Sequence, residues 1–564
     1  MKNALVAKIL REISYALEVK GVEFKPRAYA RAARSIENLS RDVTDIYEEG
    51  GKKALDDIPG VGKSIAAKIE EIIKTGRLEY HDELIDEIPF NFIELMSVQG
   101  LGPESVKTLH KELGIKGLKD LEKAAKDGKI RGLEGFGEKS EDNILKNIKQ
   151  AYDKKRRVLL NTASSEAMGV REQIESYASK LEVAGSLRRM KETIGDIDVL
   201  VTPKNKSELV ESFMKLGEKV VKGETKITIR LESGINCDLR IVEPESFGAA
   251  LQYFTGSKDH NVQVRRLAKS KGYKLSEYGL FKDEERVAGR TEKEVYSKLG
   301  MQLPAPEMRL NRGEIEAAQE KKLPRLVSYD AVKGDLQCHT NYSDGEATIK
   351  GMVLKAKEMG YEYLGITDHA GDLRIAKSMD EKRIKEQAEE IKKLGVKGIK
   401  VLHGAEVNIQ EDGSLDVPDK ILEELDYVLA SIHSKFTLTK KEMTDRLVKA
   451  MENPYVNIIG HPTGRKVLMK TGYDLDWDRV FQASKDNNTY LEINAYPERL
   501  DLSDTNARAA ISAGCKLFIN TDAHSTSQLG FMRFGLGQAR RAWAETKDII
   551  NTISYESLLK KLKK

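Results

Sequence analysis

Two short runs constrain the fold more than any other part of the chain: Gly195-Asp196-Ile197-Asp198-Val199-Leu200-Val201 and Asn236-Cys237-Asp238-Leu239-Arg240-Ile241-Val242. Both are built of strand-forming residues, and side chains two apart on a strand share one face. Asp196 and Asp198 therefore project together, and a sheet that sets Asp238 beside them gathers three carboxylates. Oxygen ligands of this kind suit two hard cations such as Mg²⁺. With such a pair, phosphoryl transfer can proceed with one ion activating a hydroxyl and the other stabilising a leaving pyrophosphate. The plainer alternative is a charged strand edge in solvent. Against it, Gly185-Ser186 lies just upstream, at a spacing suited to a phosphate-cradling turn.

The chain has 564 residues, too many for one hydrophobic core, and a multidomain protein is expected. Charged residues make up 33% of it with a net charge of only +4, so affinity for nucleic acid has to come from local patches. Cys237, Cys338 and Cys515 are widely spaced and unlike a metal finger or a disulfide framework, which points to a reducing, cytoplasmic setting. No signal peptide is recognised, and no apolar stretch approaches the roughly 18 residues needed to span a bilayer.

Residues 1–151 show helical periodicity interrupted by three related turns. These are Ile58-Pro59-Gly60-Val61-Gly62-Lys63, Val98-Gln99-Gly100-Leu101-Gly102-Pro103 and Leu133-Glu134-Gly135-Phe136-Gly137-Glu138. A glycine-x-glycine turn before a helix lets backbone amides approach a phosphate, a contact that reads DNA backbone rather than sequence. The acidic third copy is open to a second reading as a packing corner. Repetition makes the set resemble helix-hairpin-helix motifs. Gly60, Gly62, Gly100 and Gly102 are the DNA-binding candidates, and Lys25, Arg27, Tyr29, Arg31 and Arg34 are candidates to line the same groove. Lys68, one turn beyond Ser64, would contact a phosphate or, with a lowered pKa, form a Schiff base with an abasic sugar.

From about residue 152 strands and helices alternate, announcing an α/β unit. Gly185-Ser186-Leu187-Arg188-Arg189 offers a turn, a hydroxyl and guanidinium groups to a triphosphate. In Tyr253-Phe254-Thr255-Gly256-Ser257-Lys258-Asp259-His260-Asn261, the rings suit packing against a sugar or simply core packing. Asn261 and Arg265 are placed to reach base edges or template. With these motifs together, residues 1–300 resemble the X-family DNA polymerases. The resemblance implies that Asp196, Asp198 and Asp238 hold two Mg²⁺. It implies that Gly185, Ser186, Arg189, Gly195, Tyr253, Phe254, Gly256, Ser257 and Asn261 bind a dNTP. It also places the family's Schiff-base lysine at Lys68 and its associated tyrosine at Tyr29.

After Leu303-Pro304-Ala305-Pro306-Glu307 a charged segment reads as a linker. Beyond it, short apolar runs end repeatedly in ligand-type residues, as in Ile366-Thr367-Asp368-His369 and Ile519-Asn520-Thr521-Asp522-Ala523-His524. Separated by helical stretches, they have the pattern of a βα barrel with its site at the strand ends. Six of the nine histidines follow residue 338, five of them beside such ends, which points to several Zn²⁺ or Mn²⁺ ions. His403 reads as structural. From Gly334 to about Ser554 the chain resembles the polymerase-and-histidinol-phosphatase (PHP) domain. That resemblance implies His339, Asp344, His369, Glu406, His433, His461, Asp522 and His524 as metal ligands, with Arg374, Arg465 and Arg499 as candidates for gripping phosphates. One departure is Gln337, which stands where the family's first histidine is expected.

The expected organisation is a lyase-like helical domain (1–90), a thumb-side helical DNA-binding domain (91–151), a nucleotidyltransferase palm (152–244), a nucleotide-selecting fingers subdomain (245–303), a linker (304–332) and a distorted (β/α) barrel of PHP type (333–564). The expected activity is filling of short gaps in base-excision-type repair, on gapped or primed duplex DNA and dNTPs, by a monomer. Metal-dependent 3′–5′ exonuclease action would accompany it, with 5′-deoxyribose phosphate lyase and cleavage at abasic sites as further implied activities. An untemplated nucleotidyltransferase and a catalytically decayed DNA scaffold are the competing readings.

Overall fold

A computed structural model describes residues 2–22, 24–37, 43–58, 60–96, 98, 101–154, 157–371, 377–468 and 472–562. Gly100, Arg374 and the side chain of Arg34 lie outside what is described. The chain divides into two compact units, 1–157 and 158–564.

The first unit is helical, as its periodicity predicts. Lys63–Thr75 is representative: Ile65, Ala66, Ile69, Ile72 and Ile73 make one buried stripe, and Gly76 ends the helix with φ 74°, its N–H donating to the Ile72 carbonyl. A single apolar cluster, from Val6 to Ile148, runs through the unit.

In the second unit, a five-stranded sheet runs in the order Ala178–Val183, Asp196–Pro203, Asn236–Ile241, Lys226–Arg230, Glu218–Lys222. Only the pair Asp196–Pro203 and Asn236–Ile241 is parallel. Alternation sends Ile197, Val199 and Val201 into the core and the aspartates to the other face. Helices Phe247–Thr255 and Lys258–Ser270 follow, then an antiparallel sheet of Lys274–Ser276, Gly279–Lys282 and Glu285–Ala288.

Seven strands, Gly334–Asp335, Tyr363–Ile366, Lys400–Asn408, Tyr427–Ser431, Val456–Ile459, Tyr490–Asn494 and Leu517–Asn520, then pair in chain order, all parallel. A bridge between Cys338 and Ala523 joins the first to the last. Most of these strands are buried along their whole length, as a helix-wrapped parallel barrel requires. Cys237, Cys338 and Cys515 are buried free thiols. No helix among the described residues is long and apolar enough to cross a membrane.

The segment expected as a linker is packed rather than extended. Glu307, Arg309 and Glu314 are buried. Arg309 pairs with Glu292, and Glu314 accepts from the ring of His260 at 2.6 Å.

Candidate active sites

Parallel register sets Asp198 opposite Asp238 and Asp196 opposite Asn236. Asp238 accepts from the Thr228 hydroxyl at 2.6 Å and pairs with Lys226 at 2.7 Å. Arg240, two residues further along the same face, reaches Asp238 Oδ2 at 3.2 Å and Asp198 Oδ1 at 3.4 Å, and its guanidinium lies 4.1 Å from the centre of the Phe254 ring. Burial, and then the neighbouring Asp196, push the Asp198 carboxyl up to about 6. Carboxylates gathered on one sheet face, one of them made this reluctant to ionise by burial and its acidic neighbour, fit divalent cations. Gly185 (φ 64°) closes the site from the side: a Cβ there would lie 2.7 Å from Asp198 Oδ2.

The turn Gly185–Arg188 carries Ser186 half-buried. Arg189 donates to the Thr255 carbonyl, and burial, then the nearby Arg541 cation, lower its pKa to about 10. Gly256 (φ 66°) sits so close that a Cβ would come within 3.2 Å of Arg189 Nη1, tying the Tyr253-to-Ser257 run to the phosphate turn. The Tyr253 and Phe254 rings meet edge to face at 5.1 Å, and Ser257 caps the following helix. Asn261 is buried with its amide engaged at both ends, by Gln252 and by the Tyr253 carbonyl, each at 2.7 Å. Arg265 and Gly195 are exposed.

The described residues of the three glycine turns share one closing hydrogen bond. The N–H groups of Val61, Leu101 and Phe136 donate to the carbonyls of Ile58, Val98 and Leu133 at 2.9, 3.1 and 3.0 Å. Gly62 (φ −107°, ψ 170°) and Gly102 (φ −104°, ψ 172°) cap the next helices in matching conformations. Gly60 (φ 87°) leaves no room for a Cβ beside Arg31 Cγ, at 2.8 Å. Lys68 Nζ sits 4.6 Å from the centre of the Tyr80 ring, a partner on the following helix that no motif flags. Tyr29 belongs to the buried core of this unit, and burial, then Tyr80, push its hydroxyl up to about 12.

At the C-terminal strand ends of the barrel, ligand-type atoms converge in three groups: His339, Asp344, His369 and His524; His369, Glu406 and His433; and His339, Glu406 and Asp522, each with its atoms within 4.8 Å of one another. His461 Nε2 joins through Glu406 Oε1 at 3.2 Å. Both ring nitrogens of His339, and Nδ1 of His433 and of His461, are buried without a hydrogen-bond partner, as expected of a donor set shaped for metal. Burial opposes charge on His339, yet Asp522 and Glu406 outweigh it and push this ring up to about 9, while burial drives His369 down to about 4.

Behind these ligands stand residues the motif reading passes over. Asp368 accepts from the backbone and hydroxyls of Thr340 and Ser343 and from Gln387, bracing the loop that carries His339 and Asp344. Glu492 accepts from the His461 N–H and from Asn520, and the Gln337 amide, oriented to satisfy its neighbours, donates to it at 3.0 Å. His403 bonds Gln387. Arg499 lies 3.3 Å from Asp522 Oδ2, at the cluster. Arg465, expected to grip phosphate, is instead buried, pairing with Glu192 of the palm at 2.6 Å and donating to the carbonyls of Arg499 and Leu500.

Family models match most of the chain up to residue 496: a helix-hairpin-helix domain at 1–78, a SAM-like helix-hairpin-helix tandem at 92–150, a DNA polymerase beta palm at 162–247, a DNA polymerase beta thumb at 250–310 and a PHP domain at 335–496. The thumb model falls on the segment read from sequence as nucleotide-selecting fingers. The DNA polymerase/3′-5′ exonuclease PolX of Bacillus subtilis is 34% identical over 98% of both chains. DNA polymerase lambda of Rattus norvegicus is 28% identical over 54% of this chain and 56% of its own. A probable phosphatase of Thermoanaerobacter sp. is 31% identical over 39% of this chain and 89% of its own.

Proposed function

The chain belongs to the X-family DNA polymerases that carry a C-terminal PHP domain, and on that premise we propose that it fills short gaps in duplex DNA and trims 3′ ends at a second site. The observation that carries this is the coexistence, in one chain, of the Asp198 and Asp238 pair behind a glycine-lined phosphate turn and a separate imidazole-rich cluster at the barrel strand ends.

In the palm, Arg189 and Ser186 would hold the triphosphate of a dNTP while Tyr253 and Phe254 pack against its sugar. The primer 3′-hydroxyl attacks the α-phosphorus, the bond to the pyrophosphate oxygen breaks, and Asp238 accepts the hydroxyl proton. Mg²⁺ held by Asp196, Asp198 and Asp238 would supply the positive charge that acidifies the hydroxyl and neutralises the leaving group. In the barrel, Arg499 would orient the 3′-terminal phosphodiester over the cluster. Mn²⁺ or Zn²⁺ there would polarise the ester and acidify the attacking water. The glycine turns of residues 1–150 would hold the DNA backbone, and the protein would act as a monomer.

A 5′-phosphorylated one-nucleotide gap, incubated with and without dNTPs in Mg²⁺ and then Mn²⁺, tests the reading. Asp196→Ala combined with Asp198→Ala should abolish incorporation and leave Mn²⁺-dependent 3′ digestion, and His339→Ala should do the reverse. Loss of both activities in either variant contradicts two separate sites.

A further inference from the structure

The phosphate turn of the palm does not hold its shape by palm residues alone. Met190, which closes it, has φ 52°, a left-handed conformation that non-glycine residues keep only where their surroundings enforce it. The enforcement comes from the barrel helix Met532–Arg541. Gln538 Nε2 donates to the Met190 carbonyl at 3.2 Å, and Arg541 Nη1 donates to the Arg189 carbonyl at 2.8 Å. These two side chains are three residues apart and so share a helix face. Gly537, one residue before Gln538 and four before Arg541, packs against the same Met190: an added Cβ would sit 2.7 Å from Met190 Cε and 3.0 Å from Met190 Cβ. Arg541 is itself locked: its Nη2 bonds Asp504 at 2.8 Å, and Asp504 also holds Arg312 at 3.1 Å. None of the three groups of metal-ligating side chains contains a residue of this helix.

We propose that Arg541 and Gln538 of the barrel are positioning residues for the polymerase nucleotide site: by fixing the Arg189 and Met190 carbonyls, they set the turn that presents Ser186 and Arg189 to a triphosphate. The barrel is then a wall of the dNTP site as well as an enzyme of its own. This rests on the reading of the palm given above. Arg541 touches no substrate. Its effect passes through backbone geometry, so it should act on nucleotide affinity rather than on the chemical step.

The test is steady-state filling of a one-nucleotide gap by the full-length chain, with kcat and KM for the dNTP resolved. Arg541→Ala should raise KM about tenfold, the scale of losing a buried charge-assisted hydrogen bond, with kcat within about twofold. Arg541→Lys keeps the charge but cannot span both the Arg189 carbonyl and Asp504, so its KM should fall between the two. Gln538→Leu should raise KM about threefold, and it carries the test alone if Arg541→Ala fails to fold. In each variant, 3′ digestion in Mn²⁺ should stay within about twofold of wild type, since the helix supplies no ligand. Unchanged KM in Arg541→Ala or Gln538→Leu, or a fall in kcat at constant KM, overturns the proposal. If the wild-type protein incorporates no dNTP, the palm reading itself fails.

Discussion

Asp198 shows most directly what a functional residue costs its fold. In the unfolded chain its carboxyl titrates near its ordinary 3.8, and burial, followed by Asp196, raises this to about 6 in the folded protein. Between those values the folded state holds a proton that the unfolded state has released, so stability contributed at low pH is lost as pH rises through about 6. Above that, the anion destabilises the cation-free protein, relieved in part by Arg240. Asp198→Asn should therefore raise the melting temperature in EDTA at pH 8 while abolishing incorporation. A melting temperature that is unchanged or lower would mean that Arg240 fully compensates the charge. The aspartates were legible because strand period and spacing alone place them. Arg240 shares that spacing and was legible in principle. Asp368, Glu492, Gln538 and Arg541 were not, because what makes them matter is partners 19 to 352 residues away.

At the scale of elements, the repeated turns and the strand-end ligands were readable because each is a local pattern that physics repeats. The same hydrogen bond closes each of the three glycine motifs, and every barrel strand delivers its last residues to the same rim. The two glycines of a turn nevertheless do different work. Gly60 needs its glycine for folding, having φ 87° and Arg31 packed against it, whereas Gly62 has an ordinary extended backbone and open space around it. Gly62→Ala should fold with little change in melting temperature yet weaken binding to gapped DNA about fivefold by fluorescence anisotropy, the effect of one backbone amide kept from a phosphate. Gly60→Ala should lower the melting temperature instead. Equal DNA affinity for Gly62→Ala and wild type would remove this turn from the DNA interface.

For the molecule as a whole, the division into modules follows buried charge pairs more than the punctuation of the sequence. The charged stretch at 304–332, opened by two prolines, has the composition of a solvated tether, yet three of its charged residues, Glu307, Arg309 and Glu314, are buried in pairs. Arg309 meets Glu292, Glu314 meets His260, and Glu307 meets Arg540 at 2.8 Å, partners 17, 54 and 233 residues apart. Removing one member of such a pair strands the other, which binds the segment tightly into its surroundings. Leu500 and Phe534 of the barrel sit in the apolar core of the palm, and Glu192 of the palm holds Arg465 of the barrel. Palm, thumb segment and barrel should consequently unfold as one. Limited trypsin digestion should spare 304–320, despite Arg309 and Arg312, and leave a fragment beginning near residue 158, matching the boundary between the two compact units. Early cleavage within 304–320, releasing a folded barrel, would show that the paired charges do not join these modules. It would also remove the structural ground on which the barrel helix Met532–Arg541 can shape the nucleotide turn.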